Sequence, residues 1–291
     1  MEIPKPLGDR MKEYEEQTLH EMIIPKDKSY IIRLDGNCFS KFTKGLQQPF
    51  DVSFSSAMVN TMNDLLKKYN AVLGYTHSDE ISLVFNRCKE NQEHTHGGRI
   101  VKLVSLMASY CSVKFNIHIN EEITKMVSYI DTQNSYGYGL TKYSTKTLEK
   151  IRKSEAIFDA RVIIFPEDTE IINYFIWRSV YDCSRNCIST HARYQFGHKK
   201  IENKNCSEMI EMLKESGFPV CCIPIKQRYG VYAKKVLVEH TGIDPMKQIE
   251  VKTMRHEIVN KCFKLEYDIN LLETVFLSKY WKDDCEYEPF N

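Results

Sequence analysis

The order of elements along the chain predicts an α+β protein: a ferredoxin-like palm, which is an antiparallel sheet with helices on one face, followed by a mainly helical C-terminal part. Three observations predict it. Strand-like and helix-like stretches follow one another as β-α-β-β-α-β. The strand stretches are rich in β-branched and aromatic residues. The two middle strands are separated only by Thr76-His77-Ser78-Asp79-Glu80, a polar turn that makes them a hairpin. The division expected is a catalytic palm over 1–165 and a helical part over 166–291, the two packed as one unit or as two.

Each element rests on its own pattern. Leu7 to His20 has helical periodicity with Asp9 as a cap. Ser29 to Leu34 reads as a strand and stops at Asp35-Gly36, a turn dipeptide. Ser53 to Tyr69 places Phe54, Met58, Met62, Leu65 and Leu66 close to a 3.6-residue period, hence a helix. Ala71 to Tyr75 and Ile81 to Phe85 form the hairpin strands. Ile100 to Phe115 reads as the second helix, and Ala160 to Phe165 as the last strand.

Composition narrows the class. The 291 residues carry 40 Lys+Arg against 39 Asp+Glu and are 42% hydrophobic, a globular composition long enough for a substantial core. No apolar run approaches the roughly 20 residues of a membrane span, and the charged opening lacks a secretory core. Membrane insertion and secretion are not expected. The cytoplasm is the default, with mitochondrial import without a leader left open. Ten cysteines without a CxxC pair read as reduced thiols. Cys183, Cys187 and His191 at fourfold spacing read as packing rather than zinc ligands, Cys221 and Cys222 as part of a buried apolar stretch, and His94 and His96 as part of a solvated loop over Lys89 to Gly98. The near-zero net charge conceals local excess. Lys142 to Lys153 holds five basic residues and one acid, and Arg193 to Lys235 nine basic and four acidic. Such runs are candidates for polyanion contact, although a charge run is usually just solvated surface.

The chemistry turns on two acids. In the predicted topology the end of the first strand and the middle hairpin share one rim of the sheet, so Asp35 and Asp79 face each other. Two carboxylates held together repel, and a divalent cation relieves them. Mg²⁺ takes oxygen ligands and is commonly held by one or two carboxylates together with substrate phosphates. Gly36 lets the backbone approach such an ion and offer its carbonyl. A pair of cations there would serve an in-line nucleotidyl transfer. Spacing alone leaves the alternative open, a turn dipeptide and a polar hairpin tip. Walker, dinucleotide, kinase and nucleophile-elbow signatures are absent from the sequence.

Arg33-Leu34-Asp35-Gly36-Asn37-Cys38-Phe39-Ser40-Lys41-Phe42, then Leu73-Gly74-Tyr75-Thr76-His77-Ser78-Asp79-Glu80-Ile81, then Phe158-Asp159-Ala160-Arg161-Val162 before Pro166, resemble the tRNA-His guanylyltransferase family. Leu7-Gly8-Asp9-Arg10-Met11-Lys12, Ser184-Arg185-Asn186, Phe196, His198-Lys199, Lys204 and Ser207-Glu208-Met209 resemble its guanylyltransferase-like branch. The resemblance implies a nucleotidyltransferase that extends the 5′ end of tRNA in the 3′-to-5′ direction, using ATP and GTP and two Mg²⁺ ions. Asp35, the Gly36 carbonyl and Asp79 would hold the metals, with Asp35, Asp79 and Glu80 catalytic. Asp35, Gly36, Asn37, Cys38, Phe39, Ser40, Ser78 and Asp79 would form the nucleotide pocket. Arg33, Lys44, Arg99, Lys102, Asn186, His198, Lys199 and Lys204 would contact RNA or triphosphate. A homotetramer is implied as well.

The sequence departs from the family pattern at two places. Gln47-Gln48-Pro49 replaces a lysine before the proline, and Lys44 or Lys41 would supply the missing charge. Ser184-Arg185-Asn186-Cys187 replaces His-Ile-Asn-Asn, and one extra residue follows Trp177-Arg178. These departures favour template-dependent repair of tRNA 5′ ends over addition of the extra 5′ G to tRNA-His. A nucleotidyl cyclase on the same palm and a catalytically silent RNA-binding protein are the other readings.

Overall fold

The computed structural model describes residues 22–243, 246, 249–268, 270, 272–281 and 288–289. The helix expected over Leu7 to His20 lies outside them. Strands β1 (Tyr30–Gly36), β2 (Leu73–His77), β3 (Glu80–Phe85) and β4 (Phe158–Ile164) pair in the order β4-β1-β3-β2, all antiparallel. Helices α1 (Phe39–Phe42), α2 (Val52–Tyr69), α3 (Ile100–Ser135) and α4 (Thr145–Arg152) fill the connections. This is the ferredoxin-like palm that the element order predicts.

Alternation along the strands divides the core into two layers. Ile32, Leu34, Ile81 and Leu83 face α2 and α3, where they meet Met58, Met62, Leu65, Leu103, Met107 and Phe115. Asp51 caps α2 by accepting the Phe54 N–H at 3.0 Å, and Asn70 ends it in the left-handed region at φ 55°. Asn116 on α3 clasps the segment before β4, donating to the Ala156 carbonyl at 2.7 Å and accepting its N–H at 3.2 Å. Ile31, Leu73, Tyr75 and Val84 face the other way. There α5 (Thr169–Phe175) and a π-helical segment, Leu272–Leu277, cover them through Ile171, Phe175 and Phe276. Both faces of the central strands are therefore buried.

The C-terminal part begins with helices. A π-helical stretch, Ile176–Cys183, continues α5 into α6 (Ser184–Phe196), followed by α7 (His198–Ile201), α8 (Cys206–Glu215) and α9 (Ile225–Tyr229). It then adds strands that the sequence reading missed. β5 (Val231–Ile243), β6 (Glu250–Cys262) and β7 (Glu288–Pro289) extend the sheet to β4-β1-β3-β2-β5-β6-β7. β5 joins the palm through Thr76↔Val231, Tyr75↔Tyr232 and Gly74↔Ala233.

Four expectations need correction. The helix placed over Ile100 to Phe115 runs on to Ser135. It also holds an 18-residue window of mean hydropathy 1.3, long and apolar enough by composition to cross a membrane. Here its inner face is core, while Val101 is exposed in its first turn and Leu106, Val113 and Ile117 form an exposed apolar stripe. Cys221 and Cys222 are exposed, because the three-residue turn Val220–Cys222 between Pro219 and Pro224 is too short to bury both. His94 is buried: its Nε2 lies 2.9 Å from the Pro25 carbonyl and its ring stands edge-on to Tyr30.

Candidate active site

The rim at which β1 ends and the β2–β3 hairpin turns brings the two aspartates together. The hairpin closes on Ser78 and Asp79, with Ser78 in the left-handed region at φ 50°, and Thr76 Oγ1 donates to the Glu80 carbonyl at 2.7 Å. The Gly36 N–H then donates to the Asp79 carbonyl at 3.1 Å, which locks the end of β1 against the turn. Asp79 accepts from Ser78 Oγ at 3.0 Å. Burial holds its carboxyl above the usual carboxylate range and the Asp35 charge pushes the same way, against the hydrogen bond from Ser78. A Cβ on Gly36 would lie 2.4 Å from the Phe39 ring, so only glycine allows this close turn.

Asp35 sits in a row of charges on the same sheet face. Its register partners are Glu80 on β3 and Asp159 on β4, and Arg33 lies two residues back along β1. Arg33 Nη2 meets Asp35 Oδ2 at 3.0 Å and also holds Glu80 Oε1. Arg161 stands 3.2 Å from Asp159 and 3.8 Å from Asp35. Glu80 is gripped from its other oxygen by Arg178, whose Nη1 reaches Asp182 at 2.8 Å. Asp182 in turn meets Arg185 at 2.6 Å. The Glu80 side chain thus joins two guanidiniums rather than reaching into solvent. Arg178 and Asp182, both on the π-helical segment, are functional candidates that the sequence reading did not single out. Their spacing of four in an otherwise apolar helix was the available signal.

Two features show what this charge row could take. His77, Glu80 and Asp182 offer ligand atoms within 4.8 Å of one another. However, the Arg178 guanidinium already pairs with both acids, and burial with the Arg178 and Arg33 charges holds the His77 imidazole down at about 3. The cluster is thus an ion-pair network around arginines. The Nε atoms of Arg33 and Arg178 and the His77 Nδ1 are buried without a hydrogen-bond partner.

Beside the rim opens a cavity of about 610 Å³. Its walls include His77 and Ser78 from the hairpin, Gln47, Gln48 and Asp51 from the loop before α2, and Asn186 from α6. Asp51 shapes that loop: its Oδ2 accepts the Gln47 N–H and the Tyr143 hydroxyl, both at 2.8 Å. Of the expected pocket residues, Ser78 lines the cavity. Asn37 and Cys38 are exposed on the turn entering α1 and Ser40 is exposed within it, with the Asn37 N–H held by the Ile157 carbonyl at 2.9 Å. Phe39 is a core residue, its ring 5.3 Å from Phe115 and 4.9 Å from Phe158, so only its backbone could meet a nucleotide.

The remaining cations are dispersed. Lys44 is exposed on the loop after α1. Arg99 and Lys102 begin α3 at the far end of the sheet, where the Gly98 carbonyl accepts from Ile24. Phe115, which reaches Phe39 near the rim, lies thirteen residues, about 20 Å of helix, beyond Lys102. One chain therefore does not bring these two to its own aspartates. His198 and Lys199 are exposed on α7, past the part of α6 that lines the cavity, and Lys204 is paired with Glu208 at 2.7 Å. Cys183, Cys187 and His191 are buried side by side with ordinary partners, His191 Nε2 lying 3.1 Å from Gln227 Oε1.

Comparison with known proteins agrees with this geometry. Over 292 aligned residues the chain is 36% identical to "Uncharacterized protein R259" of Acanthamoeba polyphaga mimivirus, covering 97% of this chain and 92% of that protein. It is 28% identical to the tRNA(His) guanylyltransferase of Debaryomyces hansenii over 179 residues, 60% of this chain and 57% of that protein. Among solved structures, a bacterial Thg1-like protein in complex with ATP superposes with a TM-score of 0.63 at 29% identity, over 78% of this chain and 87% of that one. A bacterial Thg1-like protein in complex with GTP gives 0.59 at 26% identity, over 87% and 90%. The family profile described as tRNAHis guanylyltransferase matches residues 8–166, more than half of the sequence and all four palm strands. The chain belongs to the tRNAHis guanylyltransferase family.

Proposed function

We propose that this protein adds nucleotides to the 5′ end of tRNA in the 3′-to-5′ direction, choosing each by pairing with the opposite strand of the acceptor stem, and so repairs truncated ends. The observation that carries the reading is the meeting of Asp35 and Asp79 at one rim, beside a cavity large enough for a nucleotide. The ATP and GTP complexes of the bacterial relatives support a triphosphate there. The departures at Gln47-Gln48 and Ser184 support repair over addition restricted to tRNA-His.

The site would take two Mg²⁺ ions. Asp79 is half-buried near a second carboxylate, a repulsion that Arg33 eases and a cation would relieve further, and Gly36, at the end of β1, is held to the Asp79 turn by its N–H. Bound there, Mg²⁺ would activate the attacking hydroxyl and neutralise charge on the departing phosphates. The chain's own work is positioning. After the 5′-phosphate has been activated with ATP or GTP, the cavity would hold the incoming nucleoside triphosphate with its 3′-hydroxyl aimed at the 5′-phosphoryl group. The new P–O bond forms as the bond to the activating group breaks. Arg33 and Arg178 would lend positive charge to the rim, and Glu80 would hold both in place.

Assembly belongs to the same proposal. The exposed stripe Leu106, Val113 and Ile117 on α3 suits contact with a second copy, in line with a homotetramer. The test of function is incubation of the protein with a 5′-truncated tRNA, ATP, GTP and Mg²⁺, read on a sequencing gel. Stepwise 5′ extension to full length is expected. A cyclic nucleotide instead, or RNA binding without chemistry, would contradict the reading.

A further inference from the structure

Helix α4 carries a basic run that the nucleotide chemistry above leaves unused. Ser144 caps it, accepting the Thr147 N–H at 3.2 Å, and Thr147 and Ile151 bury its inner face. Lys150 reaches across to the loop after α1, donating from Nζ to the Lys44 carbonyl at 2.6 Å and the Lys41 carbonyl at 3.3 Å. Thr147 Oγ1 adds a contact to the Gly45 carbonyl at 3.5 Å. These bonds fix α4 against α1 and the loop after it, which sets the Lys146 and Lys44 charges near that of Lys150, while Lys41 lies exposed within α1: Lys41, Lys44, Lys146 and Lys150 thus come from two distant segments. Among the described residues none of the four forms an ion pair. Lys153, three residues beyond Lys150, continues their helical face.

Gathering like charges this way opposes folding unless an anion shares the surface. Burial, and then the Lys146 and Lys44 charges, lowers the proton affinity of Lys150. Glu149 is the single acid between Lys142 and Lys153, and Lys142 is already spent on Asp131. The ridge also has a fixed place beside the site. Lys41 follows Gly36 by five residues, and Tyr143, just before α4, donates to Asp51 in the cavity wall. From Lys146 to Lys153 the charges run along about 10 Å of helix, a track suited to successive phosphates of a strand.

We infer that the ridge formed by Lys41, Lys44, Lys146, Lys150 and Lys153 is a docking surface for the phosphate backbone of an RNA stem, leading its 5′ end to the rim that carries Asp35 and Asp79. The inference rests on the function proposed above for the identity of the RNA. It assigns a role to α4, whose residues touch neither aspartate.

The test uses the full chain with Lys146→Ala and Lys153→Ala together, and with both changed to Glu. The two side chains are exposed, so the fold is unaffected and is checked by the melting temperature. The probe is a 5′-truncated tRNA transcript without nucleotides, titrated by fluorescence anisotropy over a series of KCl concentrations. The expected result for the Ala pair is Kd weakened about tenfold and a salt slope shallower by about 1.4 to 1.8, since each lost phosphate contact removes 0.7 to 0.9. The Glu pair weakens binding further, and ATP binding measured alone is unchanged. An unchanged salt slope overturns the inference, as does an equal loss of ATP affinity, which would make the ridge a triphosphate site. Wild-type protein that binds the transcript with this slope but never extends it would sink the catalytic proposal and leave the ridge standing. Normal extension and binding by the Glu pair would do the reverse, and wild-type protein with no salt-sensitive RNA binding would sink both.

Discussion

Arg178 and Glu80, 98 residues apart in sequence, form a buried ion pair that ties the C-terminal helices to the hairpin carrying Asp79. Through the same carboxylate, Arg178 is linked to Arg33 and from there to Asp35. The first prediction follows from the burial of this chain of charges. Arg178→Ala leaves Glu80 and Asp182 short of their counter-ion and should cost about 3 kcal/mol in urea unfolding. Glu80→Gln with Arg178→Gln should cost less than the sum of the single changes. Additive losses would show that the pair is not coupled.

Gly36 and Gly74 both face side chains at close range, but with different freedom to yield. A methyl at Gly36 meets the Phe39 ring at 2.4 Å, and that ring is packed among Phe42, Phe115 and Phe158. At Gly74 the obstacle is Met62 Cγ at 2.8 Å, on a side chain that adapts. Gly36→Ala is expected to cost about 1–3 kcal/mol and to reduce 5′ extension at least tenfold, roughly 1.4 kcal/mol of barrier. Gly74→Ala should cost less and leave extension close to normal. Melting temperatures and single-turnover rates decide between the two.

Lys234 is fully buried, its ammonium donating to the Val275 carbonyl, and burial lowers its pKa from 10.5 to about 7. The folded chain therefore binds fewer protons than the unfolded chain between about pH 7 and 10.5. The contribution of the neutral amine is full above 10.5 and is lost as the pH falls through about 7. Lys234→Met should accordingly raise stability by about 1–3 kcal/mol at pH 7, with the gain shrinking toward pH 10. A gain that does not vary with pH would show that Lys234 stays charged when buried.

What the sequence revealed follows from periodicity. On β1, Ile32 and Leu34 alternate with Ile31, Arg33 and Asp35, so one face is core throughout and the other passes from core at Ile31 to charge at Arg33 and Asp35, all visible in five letters. The Met and Leu spacing of α2 is equally plain. The convergence of Asp35 with Asp79 could be read because the palm topology fixes which rim they share. The Arg178–Asp182 clamp could not, since nothing local indicates that a helix so distant returns to the hairpin. β5 and β6 escaped notice because most of their length lies in an outlying ribbon. Lysines, glutamates and apolar residues alternate there without a clear inner face, and only Val231 to Ala233 enter the palm. Arg99 and Lys102 were assigned by resemblance to known motifs, which carries no information about which end of a helix approaches the site.

The most direct test of the central claim measures single-turnover 5′ extension of a truncated tRNA by Asp35→Ala, Asp79→Ala and the double variant, at saturating Mg²⁺. If the two carboxylates act as one unit, each single change should slow the reaction at least about a thousandfold, roughly 4 kcal/mol of transition-state stabilisation, and the double should be little worse than either. Turnover near the wild-type rate in either single variant would contradict the account.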